Sequence, residues 1–224
     1  TGMDDWEYLG KFKTNGDGKV FVPVNKGVGE YLIRMVVTGD LTLADGYVSV
    51  VDNNREAVLF DIDGTLTLND FEAVGDYLGT DVASAHYYAQ QTVNKYKELG
   101  YQIIYLTGRP YWVGKDTREW LDYMGLPNGH LHTNPYGDGP IPPDTQSYKI
   151  QYLNKLIQDN GMDIVRSYGN ASTDIAAYEA VAIDKLQTYI IGENAGDNHT
   201  QAIYDDYSLH FSEVVLNTQP ANCH

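Results

Sequence analysis

The sequence predicts an α/β fold in which a parallel sheet flanked by helices follows a small antiparallel β region. Two observations lead to this prediction. From residue 56 onward, short apolar segments alternate with helical patterns, which is typical of parallel strands joined by helices. Before that point, glycine-containing turns separate short segments that suit antiparallel strands. We therefore expect two domains, a small β-sandwich-like domain at 1–55 and an α/β domain at 56–224.

The small domain contains three predicted strands, at 19–24, 30–39 and 46–51. The sequence NGDG at 15–18 precedes the first of them. It resembles part of a calcium-binding loop, but the glutamate that completes such a loop is missing, so we interpret it as a hairpin turn. Strands at this spacing, separated by such turns, are typical of a small antiparallel sandwich.

The larger domain contains four predicted strands and four predicted helices. The strands are at 57–60, 101–106, 164–168 and 187–191, and the helices are at 83–99, 116–124, 147–158 and 172–180. The helical segments carry apolar residues three and four positions apart, which places them on one helix face. These elements predict a parallel sheet, and ligands of such sheets bind just beyond the carboxyl ends of the strands.

The composition argues against several classes of partner. The formal net charge is −16, with 31 acidic and 15 basic residues. Nucleic acid is not a predicted partner, because phosphate-backbone binding needs a basic surface. No apolar run is long enough to span a membrane. The single cysteine, Cys223, excludes an intrachain disulfide and leaves the compartment undetermined.

The stretch AVLFDIDGTLT at 57–67 runs from four apolar residues directly into two carboxylates, Asp61 and Asp63. Taken alone, it could form a hairpin with an Asp-Gly turn. As a buried strand of a parallel sheet, it places both carboxylates at the ligand-binding edge, pointing the same way. Like charges this close are tolerated when they are solvated, protonated or bound to a cation.

Polar residues also follow the next strands of the predicted sheet, so they are expected at the same edge. They are Thr107, Gly108 and Arg109 after the second strand, Lys149 in the helix before the third, and Asn170 and Asp174 after the third. Asp61, Asp63 and Asp174 would supply hard oxygen ligands for a divalent cation, most naturally Mg²⁺. Thr107 and Lys149 could hold a phosphate, and one aspartate could attack its phosphorus.

Four segments in this order resemble the motifs of the haloacid-dehalogenase-type (HAD) phosphotransferases: DIDGT, the threonine of LTGRP, the lysine of SYKIQYLNKL, and the GNxxxD pattern within YGNASTDIAAYEAVAI. More narrowly, they resemble the catalytic LNS2 module of lipins, which are phosphatidate phosphatases. They also resemble the matching module of certain phosphatidylinositol-transfer proteins. The likeness extends from residue 56 to about 196. It implies a Rossmann-like sheet. Because the predicted helices use most of the residues between the motifs, we expect no large cap and an open site suited to a bulky or interfacial substrate.

The resemblance implies specific roles for three aspartates. Asp61 would be the nucleophile and a metal ligand. Asp63 would act first as general acid and then as general base, and it would give the metal its backbone carbonyl. Asp174 would complete the set of Mg²⁺ ligands.

The resemblance also implies the groups that hold the substrate. Thr107 and Lys149 would hold the phosphoryl group. Gly108, Arg109 and Asn170 lie in the same motifs, and we expect them to bind substrate or to support the residues that do.

We expect a Mg²⁺-dependent phosphomonoester hydrolase that acts through an aspartyl-phosphate on phosphatidate or another phosphorylated lipid. Two alternatives remain open. One is a non-catalytic module that binds phosphatidate or another phospholipid, and the other is a phosphatase of a small soluble phosphomonoester. The presence of both Asp61 and Asp63 favours catalysis, because a module that only binds has no need of a nucleophile and a proton donor.

Two further features lead to weaker expectations. His130 and His132 form an H-x-H pair, but no third metal ligand has suitable spacing, so we interpret them as loop histidines. The N-terminal strands resemble a short immunoglobulin-like segment that precedes this module in some bacterial relatives. That likeness implies an extracytoplasmic bacterial protein, either secreted or periplasmic.

Overall fold

The computed structural model describes residues 6–16, 18–68, 83–136 and 143–222. Its N-terminal part contains an antiparallel ribbon of two strands, β1 (Gly29–Val36) and β2 (Leu43–Val50). The third strand predicted for this region is absent, because residues 19–24 form no regular secondary structure. The predicted turn at 15–18 includes residue 17, which lies outside the described residues. The antiparallel region is therefore confirmed, with two strands in place of three.

A six-stranded sheet forms the main part of the fold. Its strands are β3 (Glu56–Phe60), β4 (Gln102–Pro110), β5 (His130–Asn134), β6 (Asp163–Gly169), β7 (Thr188–Ile191) and β8 (Gln201–Ile203). The spatial order is β5-β4-β3-β6-β7-β8, and every neighbouring pair is parallel. The predicted α/β sheet is confirmed. Sequence analysis missed β5 and β8, which lie at the two edges of this sheet.

In the described parts of the chain, four helices connect the strands: α1 (Ala89–Glu98), α2 (Gly114–Tyr123), α3 (Thr145–Asn154) and α4 (Ser172–Ala180). The helix predicted from residue 83 begins only at Ala89. The residues before it instead pair with the chain that follows β3, as in the hydrogen bond from the His86 amide to the Leu66 carbonyl. Within the described ranges, none of the helices has the length and apolar character needed to cross a lipid bilayer.

The core lies on both faces of the sheet because side chains of a strand alternate between its faces. Val58 and Phe60 belong to one apolar cluster, which also receives α1 and α2. Ala57 and Leu59 belong to a second cluster, which receives α3 and α4. Since β3 is buried on both faces, its polar continuation can lie only at the carboxyl edge of the sheet. The prediction that the fold has no large cap concerns, in part, residues 69–82 and 137–142, which lie outside the described residues.

Candidate active site

The chain turns sharply where β3 ends. The Asp61 amide still donates to the Tyr168 carbonyl, at 3.0 Å, which extends the pairing with β6 by one residue. The Ile62 carbonyl then accepts hydrogen bonds from the amides of the next turn, including that of Thr65. Gly64 allows this turn, because its φ of +69° lies in the left-handed region that favours glycine. Asp61 and Asp63 are thus held at the sheet edge by backbone hydrogen bonds.

A buried lysine connects two of the predicted site carboxylates. Lys149 Nζ lies 2.7 Å from Asp61 Oδ1 and 2.6 Å from Asp174 Oδ1. The three residues come from α3, from the end of β3 and from the first turn of α4. They are only 3%, 5% and 0% exposed, respectively. The structure therefore brings Asp61, Lys149 and Asp174 into one ion cluster that is shielded from water.

Burial and charge set the protonation of this cluster. Burial raises the pKa of Asp61 to about 7, the Asp174 and Asp63 carboxylates add to the rise, and Lys149 opposes it. Burial by itself would lower the pKa of Lys149, but the Asp174 and Asp61 carboxylates outweigh this effect and raise the pKa. The ammonium therefore stays charged, and the two carboxylates compete for one cation.

Asp174 is fixed by the start of α4. Its Oδ2 accepts hydrogen bonds from the amides of Asn170, at 3.2 Å, and Ala171, at 3.1 Å. Sequence analysis missed the contribution of Gly169, where an added Cβ would lie 2.7 Å from the Asp174 Cβ. Such a contact is too short for any real Cβ, so only glycine allows this approach. The signal was present in the sequence as the glycine directly before Asn170.

Arg109 holds the third predicted carboxylate. Its Nε and Nη2 atoms lie 2.8–3.1 Å from the two carboxylate oxygens of Asp63. Its Nη1 donates to Thr117 Oγ1, at 3.2 Å, and the guanidinium lies over the ring of Trp120. The Thr107 hydroxyl is 3.3 Å from Asp63 Oδ2. In this structure Arg109 and Thr107 thus contact Asp63. The sequence had assigned Thr107 to the phosphoryl group and had left Arg109 as either a substrate-binding or a supporting residue.

Thr65 is a second contribution that sequence analysis missed. Its hydroxyl lies 3.3 Å from Asp61 Oδ2 and 3.3 Å from Asn170 Oδ1. The Tyr207 hydroxyl donates to the Thr65 carbonyl, at 3.0 Å, so a residue far along the chain supports the turn. Thr65 is the threonine of the DIDGT motif, which could have revealed it.

The turn after β4 packs closely against the start of α3. A Cβ added to Gly108 would lie 2.9 Å from Thr145 Cγ2, so a larger residue would move these two segments apart. The end of β5 contributes Asn134, which is fully buried and whose Nδ2 has no hydrogen-bond partner. Gly108 therefore acts through packing, and Asn134 brings a buried donor to the same edge of the sheet.

The donor set fits a magnesium ion in part. Across the described ranges, no group of three or more His, Cys, Asp or Glu side chains is arranged to hold a metal ion. Asp61 and Asp174 do converge on one point, while the Asp63 carboxylate turns to Arg109 and leaves only its backbone carbonyl as a candidate ligand. Mg²⁺ typically binds one or two carboxylates and completes its shell with waters and substrate phosphate. Two buried carboxylates that share one ammonium suit such an ion.

Comparison with known proteins identifies a family and a fold. The family model for the LNS2 domain of PITM 1-3 matches residues 58–192. The chain is 32% identical to human membrane-associated phosphatidylinositol transfer protein 2 over 216 residues, which is 94% of this chain and 15% of that protein. It is 32% identical to the Drosophila melanogaster protein retinal degeneration B over 225 residues, or 97% of this chain and 17% of that protein. The chain thus spans about a sixth of the length of these relatives.

A solved structure is similar in fold. A Mesorhizobium loti protein described as a HAD-like phosphatase superposes with a TM-score of 0.52 at 14% identity, covering 86% of this chain and 94% of that one. The fold is therefore HAD-like. The expectation of an extracytoplasmic bacterial protein is wrong, because the curated relatives are animal proteins, several of them named as membrane-associated.

Proposed function

From the premise that this chain belongs to the LNS2 domain family of PITM 1-3, we propose that it is a Mg²⁺-dependent phosphomonoester hydrolase with Asp61 as its nucleophile. The observation that carries the proposal is the buried cluster of Asp61, Lys149 and Asp174 at the carboxyl edge of a HAD-like sheet. A binding surface alone does not require a buried carboxylate at the end of the central strand, because burial of a charge is costly.

Asp61 has one oxygen suited to attack. Lys149 occupies Oδ1 at 2.7 Å, whereas the contact of Oδ2 with the Thr65 hydroxyl is long, at 3.3 Å. We therefore assign the attack on phosphorus to Oδ2. Lys149, placed between Asp61 and Asp174, would neutralise phosphoryl oxygens as charge develops on them. The products of this step are an aspartyl-phosphate and the leaving alcohol.

Asp63 is placed to transfer protons. Held by Arg109 and Thr107, its carboxylate accepts hydrogen bonds at both oxygens. In this form it suits the second half-reaction, in which it removes a proton from the water that attacks the aspartyl-phosphate. In the first half-reaction it would instead donate a proton to the leaving oxygen.

A bound Mg²⁺ would supply positive charge beside the phosphoryl group, held by the Asp61 and Asp174 carboxylates and the Asp63 carbonyl. The residues of the chain would then orient the substrate. Asn170 lies beside Thr65 and Asp174, where its amide can contact a phosphoryl oxygen. Gly108 keeps the turn after β4 close to α3.

The names of the relatives favour a phosphorylated lipid as the ligand, since they describe phosphatidylinositol transfer proteins. They also favour a second candidate function, in which the site binds a lipid phosphate without turning it over. A small soluble phosphomonoester remains the third candidate. The three candidates share one phosphate-binding site and differ in what happens after binding.

One experiment separates these candidates. Phosphate release is measured from p-nitrophenyl phosphate and from phosphatidate in mixed micelles, each with Mg²⁺ and with EDTA. We expect Mg²⁺-dependent release that is lost in Asp61→Asn. Binding of phosphatidate vesicles without any release from either substrate would contradict catalysis and favour the binding module. Release from the soluble substrate alone would contradict the lipid assignment.

A further inference from the structure

The H-x-H pair interpreted as loop histidines lies in a strand. His130 and His132 belong to β5, at one edge of the parallel sheet. They are two residues apart, so both side chains point to the same face of the sheet, which is the face that receives α3. There they meet Tyr148 and Tyr152, which lie four residues apart and therefore on one face of that helix.

The four rings form a stack between β5 and α3. The ring centroids of His132 and Tyr152 are 3.4 Å apart, with planes only 7° from parallel. The His130 ring lies 5.9 Å from Tyr152, and the His132 ring lies 5.8 Å from Tyr148. Two hydrogen bonds reinforce the stack, between His130 Nε2 and the Tyr152 hydroxyl at 2.5 Å, and from the Tyr148 hydroxyl to the His132 carbonyl at 3.2 Å.

Both histidines are uncharged at neutral pH. Burial lowers the pKa of His130 to about 4, and the nearby Arg118 adds to this effect. Burial likewise lowers the pKa of His132 to about 4, with His130 and Lys155 contributing. The stack therefore places no positive charge beside the helix that carries Lys149.

The stack adds directional contacts beside the Lys149–Asp61 ion pair. Elsewhere α3 contacts the sheet mainly through aliphatic packing, as with Leu153 against the cluster that contains Leu59 and Ile104. Aliphatic packing is not directional, so it allows small shifts of a helix along the sheet. Stacked rings and hydrogen bonds at two successive turns restrict both the height and the rotation of α3.

Lys149 lies directly after Tyr148, inside the segment that the stack holds. We infer that His132 and Tyr152 are positioning residues that set the place of the Lys149 ammonium between Asp61 and Asp174. The inference rests on the proposed function, in which Lys149 holds the phosphoryl group. A shift of the helix by about an ångström is enough to reduce catalysis by orders of magnitude when a charged group is displaced from its reacting partner.

The test compares His132→Ala with His132→Phe, which keeps a ring at this position. For each protein we measure the single-turnover rate with p-nitrophenyl phosphate and the affinity for tungstate, a phosphate analogue, by calorimetry with Mg²⁺. We expect His132→Ala to lower the rate and the tungstate affinity about tenfold or more. His132→Phe should stay within about threefold of wild type, because the stacked ring is retained.

Two further variants distinguish a specific effect on the position of Lys149 from a general loss of stability. Phe211→Leu removes a ring that packs on Tyr88 on the opposite face of the sheet, and it should leave tungstate affinity unchanged. Tyr152→Phe removes only the hydroxyl that meets His130, and it should weaken tungstate binding by a smaller factor than His132→Ala. If His132→Ala does not fold, the ordering of wild type, Tyr152→Phe and Phe211→Leu tests the proposal.

Lys149→Ala separates this inference from the proposed function. If Lys149→Ala binds tungstate as wild type does, the proposed role of Lys149 is wrong, and the positioning role fails with it. If Lys149→Ala loses binding while His132→Ala and Tyr152→Phe both match wild type, the positioning role alone is overturned. Equal losses in His132→Ala, His132→Phe and Phe211→Leu would also overturn it, since they would reflect general destabilisation.

Discussion

Two cations hold the carboxylates of the candidate site in different ways. The Lys149 ammonium is shared between Asp61 and Asp174, and all three groups are buried. The Arg109 guanidinium binds Asp63 alone, through both carboxylate oxygens, and the Asp63 side chain is 17% exposed. With both carboxylates ionised, the first arrangement has one negative charge in excess, whereas the second is balanced.

The difference indicates which half of the site is suited to bind a further positive charge. Buried carboxylates that share one ammonium are incompletely compensated, and a divalent cation beside them would remove the excess. A bidentate arginine pair is complete in itself and fixes the direction of the carboxylate. We therefore expect substitutions in the Lys149 cluster to alter metal binding and the attack on phosphorus. Substitutions in the Arg109 pair should alter proton transfer.

The largest effect should follow Asp61→Asn. Asparagine keeps the shape of the side chain and loses the attacking charge, so phosphate release should fall by about three orders of magnitude or more. In EDTA at neutral pH, the variant should unfold about 2–4 °C above wild type, because the excess negative charge is gone. Release of phosphate at more than a few per cent of the wild-type rate would remove Asp61 from the nucleophile role.

Lys149→Met should have the next largest effect and should change two quantities in opposite directions. Without metal, stability should fall by about 3–5 kcal/mol, because two buried carboxylates lose their partner. Mg²⁺ affinity should rise about tenfold, because a positive charge close to the metal site is gone. Calorimetric titration with Mg²⁺ measures the affinity, and denaturant unfolding in EDTA measures the stability.

Lys155→Met is the matched control for this prediction, since Lys155 directly follows α3 and is exposed. It should change neither quantity. Weaker Mg²⁺ binding by Lys149→Met than by wild type would show that the ammonium supports the metal site, and the idea of an excess charge would be wrong.

Arg109→Lys should have a smaller effect, which concerns the ion pair of Arg109 with Asp63 and therefore mainly proton transfer. Lysine keeps the charge and cannot bind both Asp63 oxygens in the same plane. The rate of enzyme phosphorylation should fall about tenfold with alkyl phosphates, which need a proton on the leaving group, and about threefold with p-nitrophenyl phosphate. Single-turnover rates with each substrate measure the two losses, and Asp63→Asn should show the same order. Equal losses on both substrates would mean that the pair serves the structure and not the proton transfer.

The sequence predicted the strands that carry long apolar runs and missed those that do not. β3, β4 and β7 are largely buried on both faces and β6 is so in its second half, and their apolar residues identify them. β5 reads HLHTN, and its histidines fit a strand only because α3 covers them with tyrosine rings. Conversely, residues 19–24 have strand-like composition, but no strand in the described part of the chain pairs with them. Strand formation depends on partners that a local pattern cannot reveal.

The positions of the site residues were predictable from the sequence where they follow directly from the carboxyl ends of the strands. The rule that ligands bind at the carboxyl edge places Asp61, Lys149 and Asp174 together, and the structure shows them in contact. It does not reveal which cation meets which carboxylate, so the Arg109 pair with Asp63 could not be foreseen. That pairing depends on Thr117 and Trp120, which orient the guanidinium from α2. The catalytic roles and the domain division at residue 55 stay predictions.

The smallest expected effect is a loss of folding stability in acid. We expect it to arise at His132, in the ring stack beside the helix that carries Lys149, and not near Arg109. His132 is neutral in the folded protein, with its pKa lowered to about 4 by burial and by the neighbouring His130 and Lys155. In the unfolded chain it titrates near 6.5. Between these values the unfolded state binds a proton that the folded state does not, so stability falls as pH drops from about 6.5 to about 4 and then levels off.

Replacing His132 by phenylalanine should therefore flatten the pH dependence of unfolding in EDTA. The full difference in pKa would correspond to roughly 3 kcal/mol, but His132 is partly exposed, so we expect about 1 kcal/mol between pH 7 and pH 4.5. The comparison of wild type with His132→Phe cancels the titration of the carboxylates, which both proteins share. His199→Asn is the control, because it removes an exposed histidine that lies outside the stack. If His132→Phe loses stability with acid as steeply as wild type, His132 does not fold as a neutral ring, and the stack behind Lys149 must be held in another way.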